Sequence, residues 1–270
     1  MIKRILSKEP FSNGTIVVKI GGSTLGEHDT TLKDVVSLRE EGYNPVVVHG
    51  GGKTISDWMA AQNIRPVFRN GLRVTDGDSL QIVVAVLGGL INKQLVAEMR
   101  AIGANALGMS GADGGMLASR VKDPGLGFVG EVVSVNTLPI ESALCAGFIP
   151  VIAPVGICSS DDPEYHNSLL NINADTAAGE IARALGAEKM VFMTDVEGVL
   201  DRNRRLIPRL TVQQATRLSN SGTISGGMIP KIEACINALV NNSTSHIIDG
   251  RSPGALRRSL SGESLGTRVG

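Results

Sequence analysis

Apolar residues along the chain fall into two alternating kinds of run. Short runs of strand length, rich in β-branched residues, recur at Thr15 to Ile20, Pro45 to His49, Asn105 to Met109, Val129 to Val135, Ile149 to Val155, Lys189 to Met193 and His246 to Asp249. They are close to continuous, the pattern of strands buried on both faces. Between them apolar positions recur at helical spacing: Leu32, Val35, Val36 and Leu38 before Gly42, then Ile82 to Met99, Leu138 to Ala146, Thr176 to Leu185, and Met228 to Val240. Strand, helix, strand repeated predicts an α/β fold, a mainly parallel sheet with helices on both faces. The helix ends are readable too. Asn136 or Thr137 stands where a cap belongs before Leu138, Asp175 stands before Thr176, and Gly42, Gly103, Gly147 and Gly186 occupy left-handed C-cap positions. The most polar stretch, Ser159 to Asn167, reads either as a surface loop or as the junction of two lobes, 1–168 and 169–270.

Composition narrows the class of function. With 270 residues, 42% of them hydrophobic, the chain can bury a substantial core. Its 26 Lys and Arg balance 26 Asp and Glu, so no basic surplus exists to neutralise a phosphate backbone or an acidic bilayer. Nucleic acid and membrane are therefore not expected partners. The longest apolar stretches, Ile82 to Ile91 and Phe148 to Cys158, are about half of the roughly 20 residues a span needs. The N-terminal residues carry charge straight after Leu6 and lack the apolar core of a secretory signal. Cys145, Cys158 and Cys235 are odd in number and widely spaced, as expected of reduced core residues in the cytoplasm.

In a sheet of this kind ligands gather beyond the carboxyl ends of the strands. Two loops at such ends are glycine-rich: Gly21-Gly22-Ser23 after the first strand, and Gly50-Gly51-Gly52-Lys53-Thr54 after the second. Paired glycines bring backbone N–H groups close to an anion, above all where a helix then starts. Lys19 adds a charge two residues before the first turn. Neither common nucleotide motif is present. For a Walker A loop ending in Gly52-Lys53-Thr54, the first glycine would have to stand at Val47, inside a strand. Gly125 to Gly130 matches G-x-G-x-x-G but follows Asp123-Pro124 and leads into Glu131-Val132-Val133, a turn entering a strand instead of a helix.

Further candidates lie downstream. Arg73, in Asn70 to Asp76, is the residue type that grips a carboxylate with two parallel bonds. Asn171, Asn173 and Asp175 place two amides and a carboxylate before a helix, and Asp195 ends another strand. Lys231 stands in the first turn of a helix, where the macrodipole disfavours a cation unless an anion is near; otherwise it points to solvent. His49, at a strand end, reads as a hydrogen-bonded structural residue.

Taken together, VKIGGS (Val18 to Ser23), VVHGGG (Val47 to Gly52), NGLRVTD (Asn70 to Asp76), INK (Ile91 to Lys93), SGADGG (Ser110 to Gly115), PVIAPVGI (Pro150 to Ile157), NINADTAA (Asn171 to Ala178), TDVEGVLD (Thr194 to Asp201) and GGMIPK (Gly226 to Lys231) resemble, in order, the amino-acid kinase family. The resemblance runs from Ile16 to Thr267 and implies an open αβα sandwich. It implies an N-terminal lobe (1–168) that binds an acyl amino acid and dimerises, and a C-terminal lobe (169–270) that binds ATP with Mg²⁺. The implied reaction is phosphorylation of the side-chain carboxylate of N-acetyl-L-glutamate. Lys19 and Lys231 match the lysines that flank the transferring phosphoryl group, and Asp175 the carboxylate that orients them. Gly51, Gly52, Arg73 and Asn171 match the substrate-binding set. Gly21, Gly22, the segment Asp195, Val196, Glu197, Gly198, Val199 and Leu200, and Thr223, Ile224 and Ser225 match the nucleotide-binding loops. Mg²⁺ is held mainly by ATP phosphates, so no protein metal ligands are expected.

The resemblance also implies regulation and alternatives. Arginine-inhibited members carry an N-terminal helix that joins dimers into a hexamer; only residues 1–14 precede the first strand here, so a homodimer is the expectation. The segment 262–267 partly resembles the effector-binding tail of those members. A second reading within the fold is a kinase for carrier-protein-linked aminoadipate or glutamate, on the likeness of Asp249 to Glu263. A third, of another class, is a sensor without catalysis; the presence of Lys19, Asp175 and Lys231 together argues against it.

Overall fold

The computed structural model describes residues 13–21, 30–160, 163–224, 226–240 and 243–270. In chain order its strands are β1 (Thr15–Ile20), β2 (Asn44–His49), β3 (Phe68–Arg69), β4 (Leu72–Arg73), β5 (Ala106–Ser110), β6 (Leu117–Val121), β7 (Val129–Val135), β8 (Ile149–Ala153), β9 (Val155–Cys158), β10 (Leu169–Ile172), β11 (Lys189–Thr194), β12 (Arg209–Leu210), β13 (Thr244–Asp249) and β14 (Thr267–Val269). Eight of them form one sheet in the order β12-β14-β13-β11-β1-β2-β8-β5. Every neighbouring pair in it is parallel except β13 with β14. β1 stands between β2 and β11 with Ile20 opposite both His49 and Met193, so the loops after all three strands leave the sheet side by side.

The side-chain period of two divides the sheet between two cores. Ile16, Val18 and Ile20 of β1, with Val47, Val151 and Val191, pack under the helices Thr31–Glu40, Gly52–Ala61 and the long 77–101 helix. Val17, Val46, Val48, Ile152 and Phe192 face the other way, onto the helices Leu138–Cys145, Ala174–Ala184 and Met228–Asn237. Helices on both faces of a mainly parallel sheet make the αβα sandwich expected from the alternation of runs. Gly42, Gly103, Gly147 and Gly186 all have positive φ, as their C-cap positions require.

Three elements differ from the sequence pattern. The apolar run Ile149 to Val155 is two strands in two sheets, broken at Pro154, which has no N–H to give a ladder. Beyond it, β9 closes a small barrel in the order β10-β7-β6-β9. Ser159 to Asn167 spans the gap between the antiparallel partners β9 and β10, its residues 161 and 162 lying outside the described part. The helix predicted over Ile82 to Met99 runs from Gly77 to Ala101, with a π-helical segment, Ala85–Ile91, in its middle. It is the one described helix long and apolar enough to cross a bilayer, yet Ile82, Val83, Val86, Leu87, Leu95 and Met99 are buried in the core beneath it. Asp175 is not the cap of its helix. Asn173 is, accepting from the N–H groups of Asp175 and Thr176 at 2.9 and 3.1 Å.

Candidate active site

Beyond the carboxyl ends of β1, β2 and β11 lies a cleft of about 350 Å³, reached by Lys19, Gly21, Gly51, Gly52, Arg73, Asn171, Asp175, Asp195 and Lys231. Lys19 is the last but one residue of β1, only 7% exposed. Lys231 comes from the first turn of Met228–Asn237, and Asp175 from the first turn of Ala174–Ala184. Both ammonium groups converge on one carboxylate: Lys19 Nζ lies 2.8 Å from Asp175 Oδ1, and Lys231 Nζ donates to Oδ2 at 2.8 Å. Burial alone would raise the Asp175 carboxyl, but the charges and hydrogen bonds of Lys19 and Lys231 override it and hold the group below the usual carboxylate range. Lys231 thus points neither to solvent nor to an unopposed helix dipole.

What makes this convergence achievable is a close helix crossing. A Cβ built at Gly179 would lie 2.9 Å from the Ala234 carbonyl oxygen and 3.1 Å from its Cα, so only glycine lets the two helices approach this far. Gly179 is one turn after Asp175, and Ala234 one turn after Lys231.

The second glycine loop forms the floor. Gly50 N–H donates to the Ile20 carbonyl at 2.9 Å, tying the loop after β2 to the end of β1. Gly51 is the N-cap of Gly52–Ala61, and a Cβ there would overlap Ile91 Cδ1 and come within 2.8 Å of Leu87 Cδ2. The N-terminal N–H groups of this helix therefore open on the cleft, partial positive charge toward any anion that enters.

Arg73 is no surface arginine: it is 7% exposed, on the short hairpin β3–β4. Its Nη2 donates to the Gly52 carbonyl at 2.8 Å and to Ser56 Oγ at 2.9 Å, and its guanidinium stacks 4.7 Å from the centre of the Phe68 ring. Burial lowers its pKa from the ordinary value, and its hydrogen bonds among the described residues go to Met59, Gly52 and Ser56 and to no carboxylate. Asn171 Nδ2 donates to Thr75 Oγ1 at 3.0 Å, which joins β10 to the loop after Arg73.

The nucleotide-loop candidates divide. Asp195 reaches the cleft, while Val196 and Glu197 are exposed beside it. Gly198, Val199 and Leu200 pack inward, Val199 at 1% exposure with its N–H on Thr267 Oγ1 at 2.8 Å. Thr223 accepts from Arg202 Nε at 3.1 Å, bringing these two loops together, and Ile224 is buried. Gly22 and Ser225 lie outside the described residues. Asn173, read in the sequence beside Asn171 and Asp175, also lines the cleft, as do Phe68 and Thr194, which the sequence reading did not single out as site residues. Asn173 carries an N-cap signal two residues before Asp175, Phe68 shows no local signal for its stacking, and Thr194 holds the turn after β11 through its hydroxyl on the Val196 and Ile248 carbonyls.

A cleft with two lysines joined through a carboxylate, and helix N-termini behind it, is built for polyanions. The sequence profile of the amino acid kinase family matches residues 14–249. The chain belongs to the amino acid kinase family. Among its relatives in the family, acetylglutamate kinase of Dehalococcoides mccartyi is 43% identical over 258 residues, covering 96% of this chain and 95% of that one. Acetylglutamate kinase of Caldanaerobacter subterraneus subsp. tengcongensis is 44% identical over 270 aligned positions, covering 96% and 88%. Among solved structures, smu.665 from Streptococcus mutans superposes with a TM-score of 0.79 at 30% identity, over 94% of this chain and 98% of that one. Carbamate kinase from Giardia lamblia bound to AMP-PNP shares the amino acid kinase fold at 15% identity, with a TM-score of 0.66 over 96% and 98%.

Proposed function

We infer that this chain transfers a phosphoryl group from ATP to the side-chain carboxylate of N-acetyl-L-glutamate, giving N-acetyl-L-glutamyl 5-phosphate, the second step of arginine biosynthesis. The observation that carries the chemistry is Asp175 bridging Lys19 and Lys231. The relatives named acetylglutamate kinase, matched over nearly the whole chain, carry the choice of acceptor.

A carboxylate is already a nucleophile, so no general base is needed; the task is to bring two anions in line and neutralise the charge between them. An ammonium has three N–H bonds. Asp175 accepts one of these from Lys231 and pairs with Lys19 by charge at 2.8 Å, which leaves the remaining N–H bonds for oxygens of the transferring group and holds both lysines in place before the reaction starts. Lys19 and Lys231 are the catalytic pair in this reading and Asp175 their orienting partner. Gly51, Gly52, Arg73 and Asn171 hold the acyl amino acid, with Arg73 gripping a carboxylate while Phe68 and Ser56 keep its fork in place. Gly21, Gly22, the 195–200 segment and the 223–225 loop hold the nucleotide, Gly198, Val199 and Ile224 by backbone only, since they face inward. Residues 1–168 serve as the acceptor lobe and 169–270 as the nucleotide lobe.

The two lysines and the helix N-termini suit the phosphate chain of ATP, and Mg²⁺ bound to those phosphates supplies further neutralisation of developing charge. Among the described residues no cluster of three or more His, Cys, Asp or Glu is placed to hold a metal. A homodimer is supported by the edge position of β5 and the exposure of Leu107 and Ile102 at 38% each beside it. The cytoplasmic assignment is supported by three free cysteines, two of them buried.

The test is ADP release from MgATP with N-acetyl-L-glutamate against glutamate, N-acetylaspartate and aminoadipate, hydroxylamine trapping the acyl phosphate. Selective turnover of N-acetylglutamate is expected. Turnover only with a carrier-linked acceptor, or ATP binding with no turnover, overturns the reading.

A further inference from the structure

Beneath the second glycine loop lies a buried polar chain that the phosphoryl transfer described above does not use. Asn92, fully buried just after the π-helical segment, has its Nδ2 2.8 Å from the Val151 carbonyl, 3.3 Å from the Met109 carbonyl and 3.2 Å from His49 Nε2. Its Oδ1 accepts from Lys93 Nζ at 2.9 Å. Carbonyl oxygens only accept and an ammonium only donates, so the amide has one workable orientation, with the NH₂ toward the strands. The two amide hydrogens serve Val151 and His49, Met109 being the longest contact, and because an amide nitrogen cannot accept, His49 Nε2 is the acceptor. Its proton is left on Nδ1, which lies 3.1 Å from the Gly50 carbonyl oxygen and donates to it. His49 is 1% exposed, and burial together with the nearby Lys19 and Lys93 charges keeps the ring neutral, against a smaller opposing effect of the Gly50 bond.

The Gly50 carbonyl and the Gly51 N–H belong to one trans peptide, so they point in opposite directions. Fixing the oxygen on the buried ring turns the N–H toward the cleft that Gly51 lines. We propose that His49 is a positioning residue: locked by Asn92 with its proton on Nδ1, it clamps the Gly50 peptide and presents the Gly51 N–H as a fixed donor to an incoming oxyanion. The chemistry recognised is an anionic oxygen, from either the transferring phosphoryl group or the acceptor carboxylate. Without the clamp the glycine peptide is free to rotate, because glycine imposes no φ preference of its own. The rate consequence rests on the kinase reading; the tautomer does not.

Two variants of similar polarity separate positioning from mere packing. In His49→Asn the amide N–H falls near the place of Nδ1 and still reaches Gly50; in His49→Gln it falls near Nε2 and does not. Steady-state rates with N-acetylglutamate and MgATP are expected to stay within about threefold of wild type for His49→Asn and to fall at least about tenfold for His49→Gln, at equal folded fraction by circular dichroism. A loss in kcat with KM for N-acetylglutamate unchanged assigns the donor to the phosphoryl group, and a raised KM for N-acetylglutamate assigns it to the carboxylate. Equal rates in the two variants overturn the proposal. Nitrogen-15 NMR of the wild-type ring at neutral pH reads the tautomer without turnover: Nδ1 protonated is expected, and a proton on Nε2 overturns the proposal. A wild-type chain idle toward N-acetylglutamate but with His49 protonated on Nδ1 would sink the kinase reading alone, and movement of the Gly51 amide resonance on adding AMP-PNP then decides the clamp: a shift lost in His49→Gln supports it, and an identical shift overturns it.

Discussion

Gly179 and Ala234 touch backbone to backbone, close enough that a methyl group at 179 would lie 2.9 Å from the Ala234 carbonyl oxygen. In a helix interior alanine is better than glycine by roughly 0.5–1 kcal/mol, so propensity alone would favour the replacement. Overpacking works the other way, by about 1–3 kcal/mol, and the helices must part to relieve it. Gly179→Ala is expected to lower the thermal midpoint by a few degrees and kcat by more than the stability change explains, since Lys231 withdraws from Asp175. A variant with wild-type kcat would mean that the crossing does not set the lysine's position.

The glycines of the second loop are expected to part company under the same substitution. Gly51→Ala drives a methyl into Ile91 and Leu87 and should cost about 1–3 kcal/mol, read as a lower urea midpoint. At Gly52 nothing lies within 4 Å of a built Cβ, so Gly52→Ala should fold as well as wild type or better while raising KM for the acceptor. Equal destabilisation of both would contradict the packing described at Ile91.

Lys19→Ala and Lys231→Ala are each expected to lower kcat by more than about tenfold with modest change in KM, because their contacts strengthen in the transition state. Asp175→Asn should be as slow as either and less stable, since it leaves two ammonium groups about one amide without the charge that pairs them. Wild-type kcat in a lysine variant would remove it from the catalytic role.

Acid sensitivity should come from imidazoles. Burial pushes both His49 and His246 down to about 4, aided at His246 by Arg268 and Lys189. The unfolded chain takes up protons near 6.5 and the folded chain does not, so stability is complete above that value and declines as pH falls toward 4. Between pH 7.5 and pH 5 the loss should be on the order of 2 kcal/mol per ring, measured by urea unfolding. Asp175, held low, is ionised in both states over that range and adds nothing to the slope. A flat profile in wild type, or an unchanged slope in His246→Gln, would show that these rings do not drive it.

Size-exclusion chromatography with light scattering should give a dimer with and without arginine. Placing a charge on the exposed edge, Leu107→Glu, should release monomers. An arginine-stabilised hexamer would refute the dimer.

Much of this was legible in the chain because one physical rule governed it. Apart from Lys19 and their end residues Thr15, Lys189 and Thr194, β1 and β11 are apolar because helices cover both faces, and Gly42, Gly103, Gly147 and Gly186 mark helix ends whose positive φ favours glycine. The reading failed where a residue had two competing roles. Asp175 has the chemistry of a cap, but Asn173 two positions earlier takes the helix N–H groups and frees the carboxylate for the lysines. Val155 continues an apolar run, yet Pro154 ends one sheet and starts another. The stacking of Phe68 on Arg73 depends on a two-residue hairpin too short to leave a periodic signal.

The central position of β1 has a further consequence for how the molecule comes into being. β1 comes earliest in the chain among the described strands, but its neighbour β11 starts only at Lys189, and Lys231 lies further on still. β1 must therefore wait, half-covered, until the residues of β11 have left the ribosome. Pairings this distant in sequence fold slowly, because loop closure precedes any reward from the contact. Until then β1 and β2 offer an apolar edge to any other unfolded chain, so expression yield should depend on chaperones more than the stability of the finished protein suggests.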